Sequence, residues 1–453
     1  MKMFDFNHKT VLVFGSGKSG IGAVTLLEAK GADVILYDGN EKLDEEKIRK
    51  ELPKGSKAKI LLGNLPEEWM RKLDLTVMSP GVPTDLPVVE KMRMAGIPIW
   101  GEIELAYRCG AGDVLAITGT NGKTTTTTLL GEIMKAWKDE VFVVGNIGNP
   151  YTTEAMKMTK ESVTVAEISS FQLETIDRFH PKISAILNIT PDHLNRHHTM
   201  ENYINAKKAI TKNQTEEDFC ILNYEDEVLR AYGKEGKVRP FYFSSSRELE
   251  QGIFLKDGEI LLKGAETIPV CHVDELQLLG THNYENVMAA VAMAFVYGVP
   301  MEIIRTVITE FKGVEHRIEY VTEKNGVVYY NDSKGTNPDA AIRGICAMNR
   351  PTVLIAGGYD KQSEYKEWIE SFRGKVKKLV LIGDTKDKIA ADAKACGFTD
   401  YIFADTFEEA VSVSAKIAEP GDAVLLSPAC ASWDMFKSYE ERGNKFKIGR
   451  AHV

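Results

Sequence analysis

The sequence has few cysteines for its length, and their placement excludes two classes of site. Six cysteines occur among 453 residues, and none forms a CxxC pair. Disulfide-stapled domains and zinc sites both depend on closely spaced cysteines. We therefore expect neither, and we interpret the six thiols as reduced and mostly buried: Cys109, Cys220, Cys271, Cys346, Cys396 and Cys430.

Long apolar stretches and an excess of positive charge are also missing. No run reaches the roughly 18 apolar residues of a membrane span, and the first residues lack the apolar segment of a signal peptide. The net charge is -9 and the pI is near 5.7, unlike the basic surface of a general nucleic-acid binder. We expect a cytoplasmic protein that binds neither membranes nor nucleic acids. Anionic small ligands stay open, because local sites hold them.

The length and the alternation of apolar runs with helical stretches predict an α/β protein of three domains. At roughly 150 residues per domain, the chain suffices for about three. The alternation restarts near Asp113 and again after Gly313, which predicts parallel sheets covered by helices. We predict helices at residues 21–30, 41–51 and 284–297 and from Lys123. The last residues, 447–453, lack helical periodicity, and we interpret them as a tail that is not native to the protein. Strands are predicted at residues 10–14, 34–37, 75–78, 97–100, 114–118, 141–144, 163–168, 183–188, 327–330, 353–356, 379–382 and 423–426.

A first glycine loop, residues 15–20 (GSGKSG), follows the first predicted strand and precedes a helix. This GxGxxG spacing lets backbone N–H groups approach a phosphate at a helix N-terminus. Asp38, at the end of the next strand, could accept hydrogen bonds from a ribose or another donor. Three interpretations remain open here: an NAD site, a site for another diphosphate nucleotide, and a tight turn without a ligand.

A second glycine loop gives a stronger signal. Residues 118–124 (TGTNGKT) lie between a strand and a helix, and Gly-Lys-Thr at a helix start is the active end of a P-loop. Lys123 can reach the β- and γ-phosphates of ATP, and the Thr124 hydroxyl can bind Mg²⁺. Ile117 stands where the usual spacing has glycine, so the loop is a shortened variant. We predict ATP binding, against the alternative of a structural turn.

Polar residues at two later strand ends fit a magnesium–nucleotide site. Glu167 ends an apolar strand, where its carboxylate can reach a hard cation. His193 follows the next strand, in the kind of loop that lines the ligand crevice of an open α/β sheet. We predict that both act at this site, whereas His197 and His198 are interpreted as exposed loop residues.

Taken together, these segments resemble the Mur ligases over nearly the whole chain. The resemblance implies three domains: a Rossmann-like domain at residues 1–100 that binds a UDP substrate, a P-loop ATPase-like domain at 101–313, and a Rossmann-like, amino-acid-binding domain at 314–453. The segments that carry it are GTNGKT at 119–124, EISSFQ at 167–172, DHLNRH at 192–197, YINAK at 203–207, HNYEN at 282–286, HR at 316–317 and NDSKGTN at 331–337.

Within that family, narrower features resemble the members that add D-glutamate. These are SPACASWDMF at residues 427–436 and GGYDK at 357–361, together with the first-domain loop, which would then hold UDP and not NAD. The resemblance implies an ATP- and Mg²⁺-dependent ligase. Such an enzyme joins D-glutamate to UDP-N-acetylmuramoyl-L-alanine through an acyl phosphate, in peptidoglycan precursor synthesis. It also implies a monomer.

The resemblance further implies roles for individual residues. Catalysis would depend on Lys123, Glu167, His193 and Lys207, and the metal would be bound by Thr124, Glu167, His193 and a carbamylated Lys207; a plain surface lysine is the alternative for Lys207. ATP would contact Gly119, Thr120, Asn121, Gly122, Lys123, Thr124, Thr125, Asn286, Arg317 and Asp332. The other substrates would contact Ser19, Asp38, Ser79 and Gly81 (UDP), Asn146, and Lys334, Thr336, Lys361, Ser432 and Tyr439 (D-glutamate).

The chain departs from the family pattern at four positions: Gly335 replaces alanine, Gln362 glycine, Asn195 aspartate, and Trp433 a smaller apolar residue. Trp433 matters most, because its bulk can reshape the amino-acid pocket. Three other functions are weighed. A different amide ligase with the same ATP machinery is the nearest, followed by an NAD-dependent dehydrogenase and a non-catalytic nucleotide sensor.

Overall fold

A computed structural model describes residues 4–451, without the side chains of the last two. The chain divides into two compact units. One comprises Met1–Val270 and Asn286–Val307, and the other comprises Cys271–Glu285 and Ile308–Val453.

The first sheet lies in the first unit and is entirely parallel, with strand order β3-β2-β1-β4-β5. Its central strands consist mostly of buried apolar residues, as expected for a sheet covered on both faces. The strands are β1 (Thr10–Phe14), β2 (Asp33–Asp38), β3 (Lys59–Leu62), β4 (Leu75–Met78) and β5 (Ile99–Gly101). The helices are α1 (Lys18–Ala29), α2 (Glu45–Glu51), α3 (Glu67–Met70), α4 (Pro87–Met94) and α5 (Glu102–Cys109).

The second sheet has the order β14-β13-β12-β11-β10-β9-β6-β8-β7. It is parallel from β7 to β12, and β13 pairs antiparallel with β12. The strands are β6 (Asp113–Thr118), β7 (Val141–Gly145), β8 (Val163–Glu167), β9 (Ile183–Ile186), β10 (Phe219–Asn223), β11 (Pro240–Ser244), β12 (Gly252–Lys256), β13 (Glu259–Lys263) and β14 (Thr267–His272). The helices are α6 (Lys123–Lys135), α7 (Tyr151–Glu154), α8 (Ser170–Leu173), α9 (Leu194–His197), α10 (Met200–Lys208), α11 (Glu227–Lys234), α12 (Thr281–Tyr297) and α13 (Met301–Glu310).

The third sheet lies in the second unit, with the order β15-β16-β20-β17-β18-β19. Only the β15–β16 pair is antiparallel. The strands are β15 (Glu319–Lys324), β16 (Val327–Asn331), β17 (Thr352–Gly357), β18 (Val376–Ile382), β19 (Tyr401–Phe403) and β20 (Ala423–Leu426). The helices are α14 (Pro338–Ala347), α15 (Lys366–Glu370), α16 (Lys386–Ala395), α17 (Phe407–Ile417) and α18 (Tyr439–Ala451).

The α/β class is confirmed, and most predicted strands lie within one residue or two of the observed ones. The helix predicted at 41–51 begins only at Glu45, because the Asp44 carboxylate accepts the N–H groups of Glu46 and Lys47 and caps it there. The division at 1–100, 101–313 and 314–453 stays a prediction. Within residues 4–451, no helix is both long and apolar enough to cross a bilayer.

Although residues 447–451 lack helical periodicity, they belong to α18, which ends at Ala451. The interpretation of residues 447–453 as a non-native tail stays a prediction. Lys447 extends from α18 to two carboxylates, with Nζ 2.6 Å from Glu315 Oε1 and 3.0 Å from Glu319 Oε1. These ion pairs connect the end of α18 to residues more than a hundred positions earlier in the chain, a contact that local periodicity does not reveal. His452 and Val453 lie outside the described residues.

The cysteine prediction holds in part. All six thiols are free; Cys220, Cys271 and Cys430 are buried, whereas Cys346 is exposed.

Candidate active site

The loop between β6 and α6 has the backbone geometry that a phosphate-binding loop requires. Gly119 and Gly122 have positive φ angles of 152° and 84°, conformations that L side chains rarely adopt. Lys123 Nζ donates to Gly119 O at 2.8 Å and to Thr120 O at 2.9 Å. The lysine charge is therefore held over the loop at the N-terminus of α6, where the helix dipole also favours an anion.

The loop is fixed by the segment that follows β9. Asn188 Oδ1 accepts Asn121 N at 2.8 Å, and Asn188 O accepts Thr120 N at 2.9 Å. The Thr120 hydroxyl lies 3.0 Å from the Tyr203 hydroxyl. A site of this rigidity can hold phosphate oxygens in one geometry, which phosphoryl transfer requires.

Glu167 lies at the end of β8, beside the loop strand, and is 1% exposed. Its Oε1 accepts Asn146 Nδ2 at 2.9 Å. In the described part of the chain, Oε2 has no hydrogen-bond partner. A buried carboxylate oxygen without a partner is costly, and a hard cation is the ligand that oxygen donors of this kind suit. Glu167 therefore fits the predicted metal role, and Asn146 orients its carboxylate.

The second predicted metal residue, His193, is presented differently. Its backbone has a φ of 51°, half of its side chain is exposed, and its ring lies 4.9 Å from that of Phe171. No hydrogen bond or ion pair joins it to Glu167 or Lys207 among residues 4–451. Those residues also contain no group of three His, Cys, Asp or Glu side chains that could hold a metal ion. The predicted ligand set of Thr124, Glu167, His193 and Lys207 thus stays a prediction. Two of its donors, the Thr124 hydroxyl and a carbamylated Lys207, are not His, Cys, Asp or Glu side chains.

The interpretation of His197 as an exposed loop residue is wrong. The DHLNRH segment forms the short helix α9, which places the His197 ring against Phe171, and the side chain is buried. Its Nε2 lies 2.9 Å from Ser170 Oγ and its Nδ1 lies 3.3 Å from Glu174 Oε1. Burial lowers the pKa of His197. His198 is exposed, as predicted.

Lys207 contacts the phosphate loop itself. It is 2% exposed, and its Nζ donates to Gly119 O at 2.8 Å. Its Nζ also lies 4.6 Å from the ring centroid of Tyr203, one helical turn earlier on α10. Burial, together with the nearby charge of Lys123, lowers the pKa of Lys207 to about 7. Lys208, by contrast, extends outward to Glu235 at 3.3 Å.

The four UDP-site predictions come together around the first glycine loop. A cavity of about 530 Å³ is lined by Ser19, Asp38, Ser79 and Gly81 among others. Asp38 Oδ2 accepts the N–H and the hydroxyl of Ser16, at 3.1 and 2.7 Å. The Asp38 carboxylate therefore shapes the loop, and its other oxygen accepts a backbone N–H two residues on.

Arg196, to which the sequence analysis gave no role, links two segments beside the candidate site. Its guanidinium donates to Pro80 O and Val82 O at 2.9 Å each and to Glu174 Oε2 at 3.0 Å. These bonds attach the loop that lines the 530 Å³ cavity to the DHLNRH segment of the second sheet. The arginine belongs to the DHLNRH segment, but its two carbonyl partners, Pro80 and Val82, lie more than a hundred positions earlier in the chain.

Asn286, predicted to contact adenine, lies on α12 and is buried against the phosphate loop. Thr126 Oγ1 donates to its Oδ1 at 3.4 Å, and a Cβ on Gly122 would come within 2.1 Å of that same oxygen. The contact with adenine stays a prediction.

In the second unit, the predicted ATP residues differ in exposure. Arg317 is exposed. Asp332 is buried, and its Oδ2 accepts the Ser427 hydroxyl at 2.7 Å. Burial raises the pKa of Asp332 to about 7, so both the protonated and the ionised form of this carboxyl are populated near neutral pH.

Most of the predicted D-glutamate residues contact one another in pairs. Lys334 Nζ lies 5.3 Å from the Tyr439 ring centroid, and Lys361 Nζ donates to Thr336 O at 3.3 Å. Ser432 is buried, and its carbonyl accepts two backbone N–H groups. The ammonium groups of two lysines suit an anionic amino acid.

Arg442, also missed, joins the two loops that carry those residues. Its guanidinium is fully buried and donates to Ser333 O at 2.8 Å and Oγ at 3.0 Å. It donates as well to Cys430 O and Ala431 O, at 3.2 Å each. Burial lowers the pKa of Arg442 to about 10. This residue fixes the spacing between the NDSKGTN and SPACASWDMF segments.

Comparison with known proteins gives three matching family models. They are the Mur ligase MurD-like N-terminal domain at residues 9–101, the Mur ligase middle domain at 117–294, and the Mur ligase glutamate ligase domain at 316–430.

Similar curated proteins carry the name UDP-N-acetylmuramoylalanine--D-glutamate ligase. The one from Lachnoclostridium phytofermentans is 58% identical over 444 residues, and the one from Lachnospira eligens is 56% identical over 445. The protein from Clostridioides difficile is 47% identical over 447 residues, and in each case 98% of both chains is covered.

Solved structures show the same fold at much lower identity. UDP-N-acetylmuramate-alanine ligase MurC from Thermotoga maritima matches with a TM-score of 0.58 at 20% identity, covering 98% of this chain and 99% of that one. MurF from Acinetobacter baumannii matches with a TM-score of 0.59 at 15% identity, covering 97% and 93%.

Proposed function

This chain belongs to the Mur ligase family, and we propose from that premise that it joins D-glutamate to UDP-N-acetylmuramoyl-L-alanine with cleavage of ATP to ADP and phosphate. The observation that carries the proposal is the 58% identity to a UDP-N-acetylmuramoylalanine--D-glutamate ligase along 98% of both chains. The product is a peptidoglycan precursor, so the reaction serves cell-wall synthesis. The activity is that of an ATP-dependent ligase.

The chemistry explains why these residue types are needed. A carboxylate is a poor acyl donor, so the alanyl carboxylate first accepts the γ-phosphate of ATP and becomes an acyl phosphate. The amine of D-glutamate then attacks the carbonyl carbon, an amide forms, and phosphate leaves. Most of the catalysis in such a sequence is positioning and charge neutralisation.

The phosphate loop would perform both tasks for ATP. The N–H groups of residues 119–125 would hold the phosphate oxygens, and Lys123 would neutralise the β- and γ-phosphates. Arg317 would reach the γ-phosphate, since a guanidinium suits that role. Asn286 would contact the adenine of ATP, and Asp332 would contact its ribose.

Thr124 and Glu167 would hold one Mg²⁺, and His193, Glu167 and a carbamylated Lys207 would hold a second; the bound ions would supply positive charge beside the phosphates. The Lys207 amine cannot bind a cation as an ammonium. Reaction with CO₂ forms an N–C bond, releases a proton and yields a carbamate, which supplies the oxygen donors that a hard cation prefers. Its burial beside Gly119 O supports this role.

The remaining residues would bind the other substrates. Ser19, Asp38, Ser79 and Gly81 would line the UDP site, and Asn146 would place the alanyl carboxylate. The set around D-glutamate would be Lys334, Thr336, Lys361, Ser432 and Tyr439. We further propose domains at 1–100, 101–313 and 314–453, a monomer, and a cytoplasmic location, where both nucleotide substrates occur.

The test is phosphate release from ATP and Mg²⁺ with UDP-N-acetylmuramoyl-L-alanine and one of four amino acids: D-glutamate, L-glutamate, L-lysine or meso-diaminopimelate. We expect turnover with D-glutamate alone. Turnover with another amino acid would contradict the proposed substrate and leave the family assignment intact. No turnover with any of them, in protein that binds ATP, would contradict the proposed acceptor.

A pair of neighbouring lysines provides a matched control for the role of Lys207. Lys207→Met should lower kcat more than about a hundredfold, because it removes a group at the phosphate loop. Lys208→Met, on the adjacent position but directed to Glu235, should stay within about twofold of wild type. Equal effects of the two substitutions would remove Lys207 from the proposed site.

A further inference from the structure

An exposed aromatic pair lies next to the proposed D-glutamate residues in the second unit. The Trp433 side chain is 64% exposed and that of Tyr359 is 41% exposed. Their ring centroids are 5.5 Å apart. Tyr359 N donates to Ala431 O at 3.0 Å, so a backbone bridge holds the two residues side by side. Because neither ring is part of the core, core packing does not account for an indole here.

The Trp433 ring of this pair lies against the ammonium group of Lys361. Lys361 Nζ lies 5.3 Å from the Trp433 ring centroid, within the range of a cation–π contact. Among the described residues, Lys361 Nζ donates one hydrogen bond, to the carbonyl of Thr336 at 3.3 Å. An aromatic face and a carbonyl position an ammonium without neutralising its charge.

The nearest acidic neighbour in the chain is directed elsewhere. Asp360 accepts Gln362 N at 2.7 Å and lies 3.4 Å from Lys388 Nζ. Within residues 4–451, no carboxylate lies within ion-pair distance of Lys361. The Lys361 charge is thus positioned and still available to a carboxylate from outside.

We propose that Trp433 is a positioning residue that holds the Lys361 ammonium toward the side-chain carboxylate of the amino-acid substrate. This rests on the proposed function, in which that substrate is D-glutamate. A lysine side chain has four rotatable bonds, and ordering it on binding costs affinity. A ring that orders it beforehand lowers that cost, so Trp433 acts on the KM for the amino acid and not on the chemical step.

The experiment compares Trp433→Leu with Trp433→Phe in the full chain, by steady-state phosphate release with each substrate varied in turn. A cation–π contact at an exposed site corresponds to about two- to fivefold in binding. We expect Trp433→Leu to raise the KM for D-glutamate by that factor, with kcat and the KM values for ATP and the UDP substrate unchanged. Trp433→Phe, which keeps an aromatic face, should stay closer to wild type.

Two further variants separate positioning from a general structural effect. In a Lys361→Met background, Trp433→Leu should have no additional effect on the KM for D-glutamate, as a double-mutant cycle requires of a coupled pair. Phe403→Leu, which removes another exposed aromatic ring of the same unit, should leave all parameters unchanged.

The outcomes distinguish this inference from the proposed function. Three outcomes would overturn the positioning role: an unchanged KM for D-glutamate in Trp433→Leu, an equal effect of Trp433→Leu on that KM with and without Lys361, or equal increases in the KM for all three substrates. In each case, turnover of D-glutamate by wild type would still uphold the proposed function. Absence of that turnover in wild type would overturn the proposed function and this inference together.

Discussion

Glu102 is a buried carboxyl whose ionisation should make the protein less stable as the pH rises. It begins α5, and its Oε1 accepts Gln172 Nε2 at 2.8 Å. In the described residues, its Oε2 has no partner. Gln172 in turn accepts the N–H and hydroxyl of Ser169, just beyond Glu167. Burial raises the pKa of Glu102 from 4.5 to about 7.

The sign and size of the effect follow from those two pKa values. Between about pH 4.5 and 7 the folded protein keeps a proton on Glu102 that the unfolded chain has released. The stabilisation by the protonated group is therefore complete below pH 4.5 and is lost as the pH rises through 7. At 1.36 kcal/mol for each pH unit, the free energy of unfolding falls by roughly 2.5 kcal/mol between pH 5 and pH 8 from this group alone.

The perturbation is Glu102→Gln, which imitates the protonated carboxyl in shape and charge and cannot ionise. Its amide oxygen can still accept Gln172 Nε2. The assay is thermal unfolding of wild type and variant from pH 5 to pH 8. The difference in Tm between the variant and wild type should increase with pH in favour of the variant, by on the order of 5 °C from pH 5 to pH 8.

An exposed glutamate serves as the control. Glu216→Gln, at a position without a described contact, should leave the pH dependence of Tm unchanged. Parallel Tm curves for wild type and Glu102→Gln would refute the reasoning, because they would mean that Glu102 ionises equally in the folded and unfolded chain. A variant that is less stable by a constant amount would indicate a lost hydrogen bond instead.

Three further predictions follow from the geometry. Gly122→Ala places a Cβ 2.1 Å from Asn286 Oδ1 on a backbone with φ 84°. We therefore expect the KM for ATP to rise more than about tenfold. An unchanged KM for ATP would contradict the proposed phosphate loop. Arg442→Met leaves buried carbonyls without donors and should cost more than about 3 kcal/mol in denaturant unfolding; a change below about 1 kcal/mol would disprove it. Lys447→Met removes partly exposed ion pairs with Glu315 and Glu319 and should lower Tm by less than about 2 °C. A much larger loss of Tm would contradict this and show that these pairs determine the end of α18.

Local patterns predicted the elements that local forces build. The glycines of the phosphate loop and Lys123 could be read from spacing, because positive φ angles and a helix N-terminus depend on neighbouring residues alone. The assignment of Lys207 came from its spacing from Tyr203 in the YINAK segment that resembles the family, and it stays a prediction. In the structure Lys207 contacts Gly119 O and Tyr203.

Where prediction failed or was silent, the deciding partner lies far along the chain. His197 was interpreted as exposed, but α9 turns it toward Ser170 and Glu174. Arg196 contacts Pro80, 116 positions away, and Arg442 contacts Ser333, 109 positions away. A polar side chain in a motif carries no local sign of such a partner.

The sequence by itself determined the α/β class, the phosphate loop and the family, because strand periodicity, glycine spacing and the order of motifs are properties of the chain. Only the tertiary structure decided which charged groups are buried, as with Glu102 and Arg442, and which are exposed beside an aromatic ring, as with Lys361. Burial and hydrogen-bond partners set the energy of a charge, and both are fixed only when distant segments meet.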